Sequence, residues 1–395
     1  MKIAQVQADL VNLGRCNALY VRITTDTDLV GVGETVMRRR DASIQANVRE
    51  ISDYLIGKDP LPIEDHFEKL YRDSFWVGGP LHAAGRSAID IALWDLKGQH
   101  YGAPIYDMLG GLARTSIPVY CHCPSGSTPG EFADNLRSVR ARGYRAAKTT
   151  LPLFYGASSD QDLVRNLYSG GRGRLDPSLK ETEYLPTSTF DAIAEFFAAG
   201  REAVGWDFEL MVDCHGRLNP ANAVRLADAL APYRLMFIEE PIPPESSEDL
   251  AYVAARSVTP IAAGERLTSV YEVRPFLRDR SLAVLQCDIV NCGGFTGAKK
   301  IAAMAEAHFI PFAPHNPNGP IATLASAHLM AAIPNALILE TIGSEADAEI
   351  AGALVDTPAM VHDGRLTLSS RPGLGAALRP GAIADFPAVA IGGHR

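Results

Sequence analysis

Short apolar runs alternate with helix-like stretches from residue 117 onward. Each run has the length of a buried β-strand, and most stretches between them place apolar residues three and four positions apart. The strand candidates are 117–121, 145–150, 209–213, 235–239, 260–264, 283–289, 310–314 and 336–340. About eight β–α units over roughly 240 residues predict a (β/α)8-type, TIM-like barrel of the α/β class. A doubly wound sheet with fewer strands is the alternative.

The pattern before residue 115 is different. Residues 2–6 and 18–23 alternate as strands do, and Gly31, Gly33 and Glu34 predict an interruption of a third strand. From 41 to about 109 the apolar spacing becomes helical. Strands followed by helices predict an N-terminal α+β capping domain at 1–115, before a catalytic barrel domain at 116–375. We expect residues 376–395, which lack the barrel pattern, to complete the first domain.

A long polar stretch at about 153–187 interrupts the barrel pattern. Loops of this length inside a domain usually serve as lids, assembly contacts or disordered insertions. Because the stretch follows the second predicted barrel strand, a lid or an oligomer contact is favoured over an inert insertion.

Three carboxylates end successive predicted strands. Asp213, Glu239 and Glu265 each close an apolar run, at intervals of 26 residues. This interval is about one strand, one crossover helix and their loops, so the three side chains converge on one mouth of the sheet. Three oxygen ligands without a thiolate favour a divalent cation such as Mg²⁺. The sequence therefore predicts a metal-assisted enzyme.

Other strand ends also carry polar groups. Asp288 and His315 end the next two strands, Lys148 ends the second and Glu340 the last, and His215 follows the first carboxylate by two residues. An aspartate beside a histidine fixes its tautomer and raises its basicity. Taken singly, such residues are more often turn formers, helix caps, buried structural histidines or solvated charges. Their shared position at successive strand ends favours an active site.

Composition narrows the range of partners. The chain has 395 residues, 47% of them hydrophobic, and a formal net charge of −9. This charge argues against nucleic acid or an anionic membrane as the main partner, while a bound cation would still allow a small acidic substrate. The N-terminus lacks the apolar core of a signal peptide, and no uncharged stretch is long enough to span a membrane. We expect a cytoplasmic protein.

The six cysteines are too few and too scattered for a disulfide framework. Cys121, His122 and Cys123 resemble a metal motif, but strand alternation places the two cysteines on one face and the histidine on the other. A zinc site would need a matching second pair, so a structural role is favoured.

Several stretches together resemble the enolase superfamily, in its mandelate-racemase-like branch and especially its acid-sugar dehydratases of the D-galactonate dehydratase group. The resemblance covers nearly the whole chain. The matching stretches are 88–98, 109–111, 213–217, 232–234, 237–241, 262–266, 285–288, 293–294, 313–315 and 319–322.

The resemblance implies a role for each strand-end group. The Mg²⁺ ligands would be Asp213, Glu239 and Glu265. His315, paired with Asp288, would take the proton α to a substrate carboxylate. His215 would protonate the departing β-hydroxyl, and Glu340 would hydrogen-bond the substrate carboxylate or enediolate.

Two features depart from the family pattern. Racemases of this branch carry Lys-x-Lys at the second strand end, whereas this chain has Lys148, Thr149 and Thr150. Lys148 stays a catalytic candidate, but racemisation by two opposed bases is disfavoured. The second departure is the insertion at 153–187, which the galactonate dehydratase pattern lacks. Mannonate dehydratase relatives have a longer loop in this region.

The resemblance also suggests substrate contacts. Trp76 aligns with an aromatic residue that would close over the sugar, although a core position is an equal alternative. Tyr155 would parallel a catalytic tyrosine of mannonate dehydratases, and Arg266 lies within a matched stretch. Arg172 and Arg174 in the insertion would reach distal groups if it folds over the site.

We therefore expect an Mg²⁺-dependent hydro-lyase. It would remove the α-proton and the β-hydroxyl of a galactonate-, gluconate- or mannonate-like acid to give a 2-keto-3-deoxy acid. The alternatives are an epimerase, racemase or cycloisomerase of a hydroxy acid, and a non-catalytic homologue that binds acid sugars. A homo-oligomer is expected.

Overall fold

The computed structural model describes residues 1–72, 75–154 and 184–389. Six strands pair in parallel and in chain order, as the strand–helix alternation predicted. They are β4 (Ile117–His122), β5 (Ala146–Thr150), β6 (Glu209–Asp213), β7 (Phe237–Glu239), β8 (Ile261–Ala263) and β9 (Val284–Leu285).

Two further positions close this sheet into a ring. Phe312 bridges Leu285 on one side and Ala336 on the other, both in parallel. The last strand, β10 (Leu339–Thr341), pairs with β4 in parallel. The eight strand positions therefore form a closed barrel, which confirms the predicted fold class.

Helices follow the strands and cover the outside of the barrel. Several are preceded by a serine, threonine or asparagine whose side chain accepts a hydrogen bond from the helix backbone, as at Thr128, Asn219, Ser246, Ser269 and Ser344. The described helices of this domain are Pro129–Ala141, Thr187–Val204, Pro220–Leu230, Ser247–Ala254, Val270–Arg278, Gly294–Ala307, Pro320–Ala332 and Glu345–Leu354. A short hairpin, β11 (Val361–His362) and β12 (Arg365–Leu366), extends the sheet beside β4.

The N-terminal part forms a separate antiparallel sheet with helices, as predicted. Its strands are β1 (Ile3–Asn12), β2 (Asn17–Thr25) and β3 (Val30–Thr35), paired in that order. Its helices are Asp41–Ser52, Ile63–Arg72, Pro80–Tyr101 and Ile105–Met108.

The chain end returns to this sheet. The Asn12 N–H donates to the Phe386 carbonyl at 2.9 Å, and the Asn17 side chain bonds the Val389 backbone in both directions. A short helix, Ala382–Asp385, precedes these contacts.

The expected interruption of the third strand was wrong. β3 runs through Gly31 and Gly33 to Thr35. A Cβ at Gly31 would lie 2.1 Å from the Ala92 carbonyl oxygen, and one at Gly33 would lie 1.8 Å from that of Ala88. The glycines thus allow the strand to lie directly on helix Pro80–Tyr101, a tertiary contact that outweighs their low strand propensity.

Most of the predicted insertion at 153–187 lies outside the described residues, together with Tyr155, Arg172 and Arg174. Among the described helices, none combines the length and the apolar character that a membrane crossing requires.

We predict that Gly33→Ala destabilises the protein by about 3 kcal/mol, because the new methyl group must separate β3 from its helix. Gly352→Ala is the matched control, since it lies within helix Glu345–Leu354 and a Cβ there meets nothing within 4 Å. It should raise stability by up to about 1 kcal/mol. Urea unfolding measures both, and a tolerated Gly33→Ala would contradict this packing.

Candidate active site

The barrel interior is built in layers that follow the two-residue repeat of β-strands. One buried residue from each of the eight strand positions forms an apolar floor. These residues are Tyr120, Ala146, Met211, Phe237, Ala262, Val284, Ala313 and Ile338. Two residues further along, the same inward face carries His122, Lys148, Asp213, Glu239, Gly264, Gln286, His315 and Glu340. A polar layer therefore lies directly above the apolar floor.

Glu265 reaches this layer through a local change in the backbone. Gly264 has a φ of +137°, and a Cβ there would lie 2.9 Å from the Gln286 nitrogen. Only glycine suits that conformation and that close approach. The chain turns at Gly264, so Glu265 lines the mouth although it lies one residue out of the inward repeat.

A cavity of about 920 Å³ opens above the polar layer. Both parts of the chain line it: the N-terminal part contributes Arg15, Val36, Met37, Arg38 and Pro80. Of the predicted site residues, those lining it are Lys148, Asp213, His215, Glu265, Arg266, Asp288, His315 and Glu340. Glu239 is fully buried beneath them.

Asp213, Glu239 and Glu265 form a cluster suited to a metal ion. Each offers an oxygen within 4.8 Å of the others'. Glu239 Oε1 is buried and has no hydrogen-bond partner among the described residues. Burial and the nearby Asp213 carboxylate raise the pKa of Glu239 to about 8. A buried oxygen without a donor, beside two more carboxylates, fits a hard divalent cation.

Lys148 carries the positive charge nearest to this cluster. Its Nζ lies 2.7 Å from Glu239 Oε2, 2.8 Å from Glu340 Oε1 and 3.6 Å from Asp213 Oδ2. Burial alone would lower the pKa of Lys148, but the carboxylates of Glu239 and Glu340 raise it well above its usual value. The ammonium ion therefore stays charged and offsets the repulsion between carboxylates.

Glu340 is held by three groups. Besides Lys148, its Oε1 contacts His122 Nε2, and its Oε2 accepts the Asn316 N–H at 2.8 Å. His122 also lines the cavity, yet the sequence analysis did not include it in the site. Its place two residues beyond Tyr120, on the inward face of β4, was the signal that could have identified it. Cys121 and Cys123 are buried free thiols.

His315 and Asp288 are paired as predicted. His315 Nδ1 lies 2.8 Å from Asp288 Oδ2, and its Nε2 lies 3.0 Å from Glu265 Oε2. Burial alone would lower the pKa of His315, but the carboxylates of Glu265 and Glu340 and the bond to Asp288 raise it to about 10. The Asp288 bond orients the ring so that Nε2 faces the cavity.

His215 has the opposite electrostatic environment. Its backbone has a φ of +49°, and its Nε2 lies 3.1 Å from Asp213 Oδ2. Burial lowers the pKa of His215, although the Asp213 carboxylate acts against this shift. Two histidines whose pKa values are displaced in opposite directions therefore line one cavity.

The predicted substrate contacts differ in placement. Arg266 lines the cavity and lies 2.8 Å from Glu240 Oε2 and 3.4 Å from Glu265 Oε1. Trp76 is 83% exposed and packs edge-on against Phe75, outside the described lining of the cavity.

Comparisons with known proteins agree with this architecture. Residues 5–110 match the model of the mandelate racemase / muconate lactonizing enzyme N-terminal domain, and residues 131–382 match the enolase C-terminal domain-like model. The chain is 36% identical over 361 residues to D-galactonate dehydratase of Pectobacterium atrosepticum, covering 90% of this chain and 87% of that protein. It is 32% identical over 397 residues to the D-galactonate dehydratase family member RspA of Pantoea ananatis, covering 98% and 94%.

Solved structures show the same fold. A member of the enolase superfamily from Salmonella Typhimurium superposes with a TM-score of 0.88 at 28% identity, covering 98% of this chain and 99% of that one. A mandelate racemase/muconate lactonizing enzyme-like protein from Rubrobacter xylanophilus superposes with a TM-score of 0.85 at 29% identity, covering 98% of this chain and 97% of that one.

We predict that Lys148→Met destabilises the metal-free protein by about 3 kcal/mol, because the buried carboxylates lose the ammonium group that neutralises them. Lys69→Met is the control: its exposed ion pair with Asp65 should contribute less than about 1 kcal/mol. Urea unfolding in EDTA measures both. Added Mg²⁺ should restore part of the Lys148→Met loss, and equal losses in the two variants would contradict the neutralising role.

Proposed function

The chain belongs to the mandelate racemase / muconate lactonizing enzyme family of the enolase superfamily, and on this premise we propose that it is an Mg²⁺-dependent acid-sugar dehydratase. The substrate would be an aldonate of the galactonate, gluconate or mannonate type, and the product a 2-keto-3-deoxy acid. The names of its dehydratase relatives support this reaction class.

The observation that carries the proposal is the pair of histidines beside the acidic cluster. His315 Nε2 lies 3.0 Å from Glu265 and His215 Nε2 lies 3.1 Å from Asp213. The elimination of water from a hydroxy acid needs one group to remove the α-proton and another to protonate the departing hydroxyl. The cavity presents two such groups, on different strand ends.

His315 is the proposed base. Its Nε2 takes the proton from the carbon α to the substrate carboxylate, while Asp288 accepts a hydrogen bond from Nδ1–H and stabilises the imidazolium that forms. His215 is the proposed acid. It donates a proton to the β-hydroxyl as the carbon–oxygen bond breaks, so water leaves and the resulting enol tautomerises to the keto acid.

Negative charge develops on the substrate carboxylate as the α-proton leaves. Asp213, Glu239 and Glu265 would hold Mg²⁺, which when bound would polarise that carboxylate and neutralise the acidic cluster that keeps His315 protonated. Lys148 supplies a fixed positive charge in the same layer. Both Glu340 oxygens are engaged by Lys148, His122 and Asn316, so we propose that Glu340 acts mainly by holding these groups.

A two-base racemase is less well supported. Thr149 and Thr150 line the cavity beside Lys148, and a hydroxyl at position 150 cannot serve as a second base near neutral pH. Racemisation, epimerisation and cycloisomerisation all conserve the mass of the substrate, so product mass separates them from dehydration.

We predict that the protein with Mg²⁺ converts at least one aldonate or aldarate of a stereochemically complete panel into a 2-keto acid lighter by one water. Semicarbazide absorbance and mass spectrometry measure the product, and EDTA should abolish its formation. A product of unchanged mass would identify an isomerase. Mg²⁺ binding without turnover on the whole panel would identify a non-catalytic homologue.

We predict that His315→Asn lowers kcat by at least about 10³-fold, since it removes the general base. Calorimetry should show Mg²⁺ affinity within a few-fold of wild type, because the three proposed ligands remain. His308→Asn, an exposed histidine at the end of helix Gly294–Ala307, is the control and should retain full activity. Retained turnover in His315→Asn would exclude it as the base.

A further inference from the structure

The proposed base begins a short segment that joins the barrel to helix Pro320–Ala332. This segment, residues 315–319, is called the base loop here. Its Asn318 side chain donates to Asp288 Oδ2 at 2.9 Å, the same oxygen that His315 Nδ1 contacts. The Asn316 N–H donates to Glu340 Oε2. The base loop therefore positions three proposed catalytic groups together.

Glu34, at the end of β3 in the N-terminal domain, holds the far end of the base loop. Its Oε1 accepts the Gly319 N–H at 2.5 Å, and its Oε2 accepts those of Ile321 and Ala322 at 3.1 and 3.2 Å. The carboxylate is fully buried. It thus supplies, from another domain, the acceptors that the free N–H groups of a helix N-terminus require.

The close approach depends on the residue at position 319. A Cβ on Gly319 would lie 2.6 Å from Glu34 Oε1 and 2.8 Å from Oε2. Any side chain there would push the carboxylate away from the base loop.

Arg15, also from the N-terminal domain, adds a second attachment. Its Nη2 donates to the carbonyls of Pro317 and Asn318 at 2.9 and 2.8 Å, while Nη1 contacts Asp347. The base loop is thus held by the barrel through the side chains of His315 and Asn318 and the Asn316 N–H, and by the N-terminal domain through the backbone of residues 317–319.

We propose that Glu34 is a positioning residue for the base. By fixing the backbone at Gly319, it keeps Asn318 on Asp288, and Asp288 in turn orients His315. The N-terminal domain then contributes to proton abstraction as well as enclosing the cavity. The kinetic part of this inference rests on the proposed dehydratase function, whereas the geometric part does not.

Asp90 provides a comparison for a purely structural role. It too is a buried carboxylate of the N-terminal domain that accepts a backbone N–H at the start of a barrel helix, that of Thr296 at 3.1 Å. The nearest residue assigned to the reaction is Asp288, eight residues before Thr296, whereas Asn318 directly precedes Gly319, whose N–H Glu34 accepts. A general weakening of the domain contact should therefore appear in Asp90→Asn and Glu34→Gln alike, and a loss of base alignment only in Glu34→Gln.

The kinetic test compares Glu34→Gln with Asp90→Asn. The amide that Glu34→Gln introduces keeps one acceptor oxygen, so its NH₂ group must face at least one of the backbone N–H groups that donate to the carboxylate. We expect Glu34→Gln to lower kcat about 10- to 100-fold with KM within about threefold of wild type, as displacement of an aligned group does. The isotope effect with substrate deuterated at the α-carbon should increase, because proton abstraction becomes slower.

Asp90→Asn should leave kcat and the isotope effect unchanged. Equal changes in both variants, or an unchanged isotope effect in Glu34→Gln, would overturn the proposal.

A structural test does not depend on turnover. A crystal structure of Glu34→Gln should show residues 315–319 displaced and the distance between His315 Nδ1 and Asp288 Oδ2 longer than 2.8 Å. An unmoved base loop would overturn the inference even if the protein is a dehydratase.

If wild type dehydrates no acid sugar, the proposed function fails while this structure still decides the geometric part. If Glu34→Gln does not fold, Gly319→Ala displaces the same carboxylate and carries the same expectations.

Discussion

The carboxylates of Asp213, Glu239, Glu265 and Glu340 converge at one mouth of the barrel, and their mutual repulsion must be offset within a buried layer. Lys148 provides the offset inside the protein because its ammonium group contacts three of the four. Without a bound cation, His315 adds a second positive charge beside Glu265. The acidic cluster is thus suited to a metal ion and, at the same time, shifts the pKa values of the groups around it.

The spacing of polar residues at strand ends predicted much of the site. Asp213, Glu239, His315 and Glu340 share the inward face because each lies two residues beyond an apolar floor residue, a relation that follows from the period of a strand. The pairing of His315 with Asp288 followed from their adjacent strand ends. The two-residue period was sufficient to predict which side chains face the cavity wherever a regular strand sets their direction.

The sequence could not predict contacts made between distant segments. Glu34 was predicted to interrupt a strand because the first of its hydrogen-bond donors, Gly319, lies 285 residues later in the chain. Gly33 was likewise predicted to interrupt the strand. The helix carbonyl that leaves no room for a side chain there cannot be inferred from the local sequence pattern. The exposed position of Trp76 also depends on how the segment before helix Pro80–Tyr101 packs, which composition does not specify.

Among the eight described strand positions of the barrel, the one that carries the proposed base pairs with its neighbours only through isolated bridges. Phe312 meets Leu285 and Ala336 through isolated bridges, whereas β5 and β6 pair over five residues. The direction of the His315 side chain therefore depends less on a continuous strand ladder than on the side-chain contacts of His315 and Asn318 with Asp288.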